Sequence, residues 1–244
     1  KIRLGKVWGK KIYTPNFTAK SKIQNHYRWM KQPKVIFLDA VGTLFGIRGS
    51  VGDVYSQIAR EFDVETSPAT LNQTFFQSFK ASPPPVFPQA QEHDIPQREF
   101  AWWSRITQTT FEQAGVLHKF DDFSAFFSEV YIHFGTGDPW FVYPDVLKAL
   151  NNWKNKGIEL GILSNFDSRI YSVLQALELR DYFSSITIST QSGAAKPNQK
   201  IFAIALEKHN CIPEAAWHIG DNIKEDYEGA KAAGLRGIWL NRNQ

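Results

Sequence analysis

The sequence predicts an α/β fold: a doubly wound parallel sheet interrupted, after its first strand, by an all-helical insertion. Three observations carry this. Beyond residue 140, short apolar runs alternate with helical patterns, which implies parallel strands with helices on both faces. Between residues 50 and 140, four helical patterns follow one another with no strand run between them. The 244 residues, 43% hydrophobic and 21% charged, suffice for a large core plus a smaller inserted domain.

The elements follow in order. Val35–Leu38 form a continuous apolar run that stops at Asp39, the pattern of a strand buried on both faces. The insertion reads as helices at "VGDVYSQIAREF", "PATLNQTFFQSF", "QREFAWWSRITQTTFEQAG" and "DDFSAFFSEVYIHF". The proline-rich stretch "ASPPPVFPQAQEHDIP" between the second and third reads as a rigid loop. "PDVLKALNNWKNKG" carries Pro144 near its start, Gly157 after its end and one apolar face, so it reads as a helix. Strands are expected at "IELGILSN", "SITIST", "AWHIGD" and "LRGIWL". Helices are expected at "SRIYSVLQALEL", from Pro197 to about Asn210, and from Asn222 to about Ala233. The expected division is a Rossmann-like core at 30–49 and 141–244, with a helical cap at 50–140.

Residues 1–29 hold eight basic side chains and no acid. Without those eight, 20 basic residues face 24 acidic ones, so the net charge of +4 becomes −4 over residues 30–244. Such an arm can bind nucleic acid or anionic lipid. The sole methionine, Met30, stands just before the first strand. The arm is therefore expected to be an extension ahead of the native start, and no nucleic-acid partner is expected. The single Cys211 excludes an internal disulfide framework and a cysteine-based zinc site. No apolar run reaches bilayer-spanning length, and a cytoplasmic chain with no membrane partner is expected. No oligomeric state can be read.

Four polar clusters sit at or just beyond expected strand ends, where open α/β sheets bind ligands. Asp39 can be a nucleophile or a metal ligand, and Gly42 lets the chain turn so that nearby amides face an anion. Ser164 and Asn165 offer a hydroxyl and an adjoining N–H to a phosphoryl oxygen, or cap the next helix. Lys196 precedes Pro197 and can project over the sheet edge. Asp221 and Asp226, five residues apart, can divide the direct and water-mediated ligation of Mg²⁺.

Taken together, "DAVGT", "SN", "KP" and "GDNIKED" resemble the four motifs of the haloacid dehalogenase-like hydrolase superfamily, with its helical cap inserted after the first. The flanks "AWW", "LSNFDSR" and "GAAKPNQKIF" resemble one group within it. The resemblance implies that Asp39 attacks phosphorus and forms an aspartyl-phosphate. Thr43 would orient Asp39 or bind the same phosphoryl group, and the phosphate would be held by Ala40, Val41, Gly42, Ser164, Asn165 and Lys196. Mg²⁺ would be bound by Asp39, the Val41 carbonyl and Asp221, with Asp226 in support. A small phosphorylated metabolite would be the substrate.

Val41 departs from the phosphatase pattern, which has a second aspartate there as general acid–base. The departure leaves three readings. One is a Mg²⁺-dependent phosphatase with another proton donor or an easy leaving group; Glu92, His93, Asp94 and His133 in the cap are donors by type. The second is a weakly active phosphate-binding regulatory protein. The third is a metal-independent 2-haloacid dehalogenase, against which Asp221 stands, since dehalogenases have serine there. A Schiff-base route has only Lys80 and Lys119 in the cap. The phosphatase is the reading expected. Substrate choice would lie in the cap, where Trp102, Trp103 and the proline loop either shape a pocket or pack helices.

Overall fold

A computed structural model describes residues 32–242, so the basic arm lies outside the described residues. The first strand, β1 (Val35–Leu38), is the middle of a five-stranded parallel sheet. The others are β4 (Glu159–Ser164), β5 (Ser185–Ile188), β6 (Ala216–Gly220) and β7 (Arg236–Trp239), in the order β5-β4-β1-β6-β7. Leu38 stands level with Ile162 on one side and Ile219 on the other, so strand ends line up across the centre. The chain leaves β1 in both directions, and this reversal opens a crevice beyond its carboxyl end.

Alternation along β1 divides the core. Ile36 and Leu38 face a cluster with Leu160, Ile162, Val173 and Leu174; Val35 and Phe37 face another with Ile201, Phe202 and Leu206. Both faces of β1 are thus covered, which explains why "VIFL" carries no polar residue.

The insertion contains four α-helices: α1 (Val51–Glu61), α2 (Pro68–Ala81), α3 (Ile95–Gln113) and α4 (Phe123–His133). Ser50, Ser67 and Asp122 cap three of them through their side-chain oxygens. Their inward faces meet in a separate apolar cluster that includes Tyr55, Leu71, Trp102, Phe111 and Phe126. Trp102 is buried there and donates its indole N–H to the Pro83 carbonyl at 2.9 Å, while Trp103 points elsewhere.

Two strands were not expected. β2 (Phe45–Ile47) and β3 (Trp140–Val142) pair antiparallel and form the neck through which the chain enters and leaves the cap. At three residues each they are too short for alternation to register.

The remaining helices are α5 (Val146–Asn155), α6 (Ile170–Ala176), α7 (Ser189–Ser192), α8 (Gln199–Lys208) and α9 (Gly229–Ala232). The run "SITIST" divides after Ile188, where α7 begins. Pro197 stands outside α8, whose cap is Asn198. The helix expected from Asn222 opens instead as a π-helix over Ile223–Glu228. A single extra residue in one turn leaves no trace in hydrophobic periodicity.

Candidate active site

All four predicted clusters converge beyond the ends of β1, β4 and β6. Asp39 directly follows β1 and is anchored by its N–H to the Ile219 carbonyl at 2.9 Å. The chain then turns tightly: the Ala40 carbonyl accepts from Leu44 N–H at 2.8 Å, and Gly42 N–H donates to the Phe45 carbonyl at 2.9 Å. Gly42 has a φ of +83°, and a Cβ there would stand 2.5 Å from Asp221 Oδ2. Glycine is thus required both by the turn and by the close approach of Asp221. Because the Gly42 N–H is already bonded, Gly42 shapes the site rather than donating to an anion, which corrects the sequence expectation.

Lys196 is buried and links two acids, with Nζ 2.7 Å from Asp39 Oδ1 and 2.5 Å from Asp226 Oδ1. Burial alone would lower its pKa, but the charges of Asp39 and Asp226 outweigh it and hold the ammonium above its ordinary range. Asp226 is also buried. Its Oδ1 accepts from His218 Nε2 at 2.8 Å and its Oδ2 from Asn222 N–H at 3.0 Å. Against burial, Lys196 and His218 hold its carboxyl well below the usual range. The π-turn, with Asn222 Oδ1 accepting from Lys224 and Glu225 N–H, turns Asp226 inward. Asp221 lies just outside that turn and is exposed, so the two acids are not on one regular helix.

Carboxylate oxygens of Asp39, Asp221 and Asp226 lie within 4.8 Å of one another. Although Asp221 reaches solvent, the surrounding site partly desolvates its carboxyl, and this together with the charges of Asp39 and Asp226 pushes it up to about 6. Three hard oxygen donors gathered at one point, two of whose charges push up the third, fit a divalent cation such as Mg²⁺, which relieves that repulsion.

Asn165 has a role that the sequence did not announce. Its Oδ1 accepts from Lys196 N–H at 2.8 Å, and its Nδ2 donates to the Lys196 carbonyl and to Glu225 Oε2, both at 3.0 Å. The side chain clamps the Lys196 peptide instead of facing an anion. Ser164 is buried at the end of β4. Thr43 is buried too, and its Oγ1 has no partner among the described residues, while its carbonyl accepts from Arg242 Nη2 at 2.6 Å. Arg242, His218 and Glu225 were missed because nothing local marks them.

Val41 is half-buried and packs against the apolar cluster. Of the candidate proton donors, Glu92 and His93 are exposed on a cap turn, where His93 sits beside Asp94. His133 is half-buried and its ring meets Phe134. Lys80 and Lys119 are exposed, unlike the desolvated lysine that Schiff-base chemistry needs.

The fold is that of a hydrolase built on a doubly wound α/β sheet, with the acidic centre beyond the strand ends. Residues 33–234 match the haloacid dehalogenase-like hydrolases, and the chain belongs to that family. Haloacid dehalogenase-like hydrolase domain-containing protein 3 of Bos taurus is 30% identical over 204 residues, 84% of this chain and 80% of that protein. The crystal structure of a HAD phosphatase from Thermococcus onnurineus aligns at 24% identity and TM-score 0.56, over 86% of this chain and 87% of that one. The L-2-haloacid dehalogenase from Xanthobacter autotrophicus with chloropropionic acid covalently bound aligns at 18% and TM-score 0.60, over 87% and 80%. At these identities the two structures show the shared fold and do not choose between phosphate and halide chemistry. Among the described residues, no helix is long and apolar enough to cross a membrane.

Proposed function

We propose that the protein is a Mg²⁺-dependent phosphatase of small phosphorylated metabolites that works through an aspartyl-phosphate on Asp39. The observation that carries this reading is the convergence of Asp39, Asp221 and Asp226 around one point, with Lys196 bonded to two of them. Asp39, Asp221 and Asp226, with the Val41 main-chain carbonyl, would hold Mg²⁺. When bound, the cation offsets repulsion between the nucleophile and the phosphate.

Asp39 attacks phosphorus in line; the new Oδ–P bond forms as the bond to the leaving oxygen breaks. Lys196, Ser164 and the N–H groups of Ala40 and Val41 hold the phosphoryl oxygens as charge gathers on them. Asn165 acts by fixing the Lys196 backbone, and the buried hydroxyl of Thr43, which bonds to no described residue, would bind the phosphoryl group. Water then attacks phosphorus, breaks the acyl-phosphate bond and releases orthophosphate. No acid stands at Val41, so the leaving group departs unprotonated. Aryl and acyl phosphates are therefore the favoured class, since general acid help is worth about 10²–10⁴ in rate for poorer leaving groups.

The test is turnover of an aryl phosphate with and without Mg²⁺, beside Asp39→Asn. Activity is expected only with metal and an intact Asp39. Activity that survives either loss overturns the mechanism. A second reading, a regulatory protein that binds phosphate and turns over little, is favoured by the apolar Val41. It predicts orthophosphate binding with no turnover of any ester. We assign substrate selection to the cap, residues 50–140, and the activity to the cytosol, in keeping with a single, half-buried cysteine.

A further inference from the structure

Trp103 and Glu99 stand one turn apart on α3, and both reach out of the cap to the same short loop of the core. Asp167, 2% exposed, accepts from Trp103 Nε1 at 2.5 Å through Oδ2. The same carboxylate accepts Arg169 Nη2 at 2.7 Å on Oδ2, and Arg169 Nε at 3.0 Å and N–H at 2.9 Å on Oδ1. The Arg169 guanidinium lies 4.0 Å from the Tyr131 ring centroid on α4 and donates to the Tyr131 carbonyl at 3.2 Å. Beside it Glu99, 1% exposed, accepts both the N–H of Ser168 at 3.0 Å and its hydroxyl at 2.9 Å. Two cap helices thus grip three consecutive core residues through buried, charge-assisted bonds.

That loop begins at Ser164 and Asn165, the first a phosphate-holding group and the second the clamp on Lys196. We infer that residues 167–169 form a latch tying the position of the cap to the order of the phosphate-binding loop, with Glu99 and Trp103 as positioning residues. Apolar contact alone would let the cap slide; directional bonds to a buried carboxylate are either made or broken, so the latch has two states. Opening the cap then loosens the loop that holds phosphate, and phosphate on that loop favours the closed cap, by the reciprocity of linked equilibria. The latch stands on the contacts alone, whereas its bearing on phosphate rests on the reading proposed above.

The Ser168 amide reports the latch directly, because its acceptor is a cap residue. Hydrogen exchange resolved by NMR on the full chain would compare wild type with Trp103→Phe. That variant keeps an aromatic ring next to Phe79 and Arg169 while removing the indole N–H donor together with its five-membered ring. Trp103 bonds to Asp167 and not to Ser168. Even so, the Ser168 amide should exchange about tenfold faster in the variant, the scale of one charge-assisted bond, with the amides of β6 unchanged. Glu99→Gln, which keeps an acceptor oxygen, should change that rate less than Glu99→Ala. Calorimetry with orthophosphate and Mg²⁺ should show binding weakened about tenfold by Trp103→Phe. An unchanged Ser168 rate, or acceleration that spreads equally to β6, overturns the latch. If wild type binds no phosphate, the phosphatase reading fails while the exchange result still decides the latch.

Discussion

Val41 is where the sequence and the chemistry part company, and a single substitution addresses it. Val41→Asp places a carboxyl two residues after Asp39, the proposed nucleophile, at a half-buried position. The expected outcome is a gain of about 10²-fold or more in kcat on alkyl phosphates and little change on aryl phosphates, whose leaving groups need no proton. The ratio of the two kcat values reads it out; a uniform change on both would refute the missing-acid account. At this scale the gathering of Asp39, Lys196, Asp221 and Asp226 was foreshadowed by polar motifs near strand ends, although Lys196 follows α7 and Asp226 lies within the π-turn. Their supporting partners were not. Asn165 meets Lys196 and Arg242 meets Thr43 only through folding, and such pairings have no local period.

Among the elements, α3 carries the clearest electrostatic consequence. Burial raises the Glu99 carboxyl above the ordinary carboxylate value of 4.5, and the neighbouring Asp167 charge adds to the shift. The folded chain therefore holds this proton more tightly than the unfolded chain. Its stabilising contribution is complete below 4.5 and is lost as pH rises through the elevated pKa. Glu99→Gln has no proton to lose. Its Tm relative to wild type should climb as pH rises above 4.5, and a flat or falling difference would refute this assignment. Helices were legible from their apolar stripes and caps, and α1–α4 depart from expectation only at their ends. The short ribbon β2–β3 and the π-turn were not, because three residues or one inserted residue fall below what periodicity resolves.

For the whole molecule, a metal that joins Asp39, Asp221 and Asp226 binds only the folded chain. At a hundredfold excess over Kd, Mg²⁺ should add about 2.7 kcal/mol, a Tm rise of roughly 5–10 °C for a chain of this size. Asp221→Asn should abolish most of that rise in a thermal melt. A full rise in the variant would mean that the cation binds elsewhere. The doubly wound sheet itself was legible because strand and helix alternate so regularly after residue 140.

The insertion of the cap between β1 and its partners also bears on how the chain is made. β1 pairs only with β4 and β6, and both are synthesised after the whole cap. During translation the all-apolar "VIFL" emerges with neither neighbour, while α1–α4, whose contacts are local, can already fold. The strand that leads into Asp39 is thus made before the whole cap and enclosed only once β4 and β6 have followed it. Its exposed edges must be kept from other nascent chains until β6 arrives.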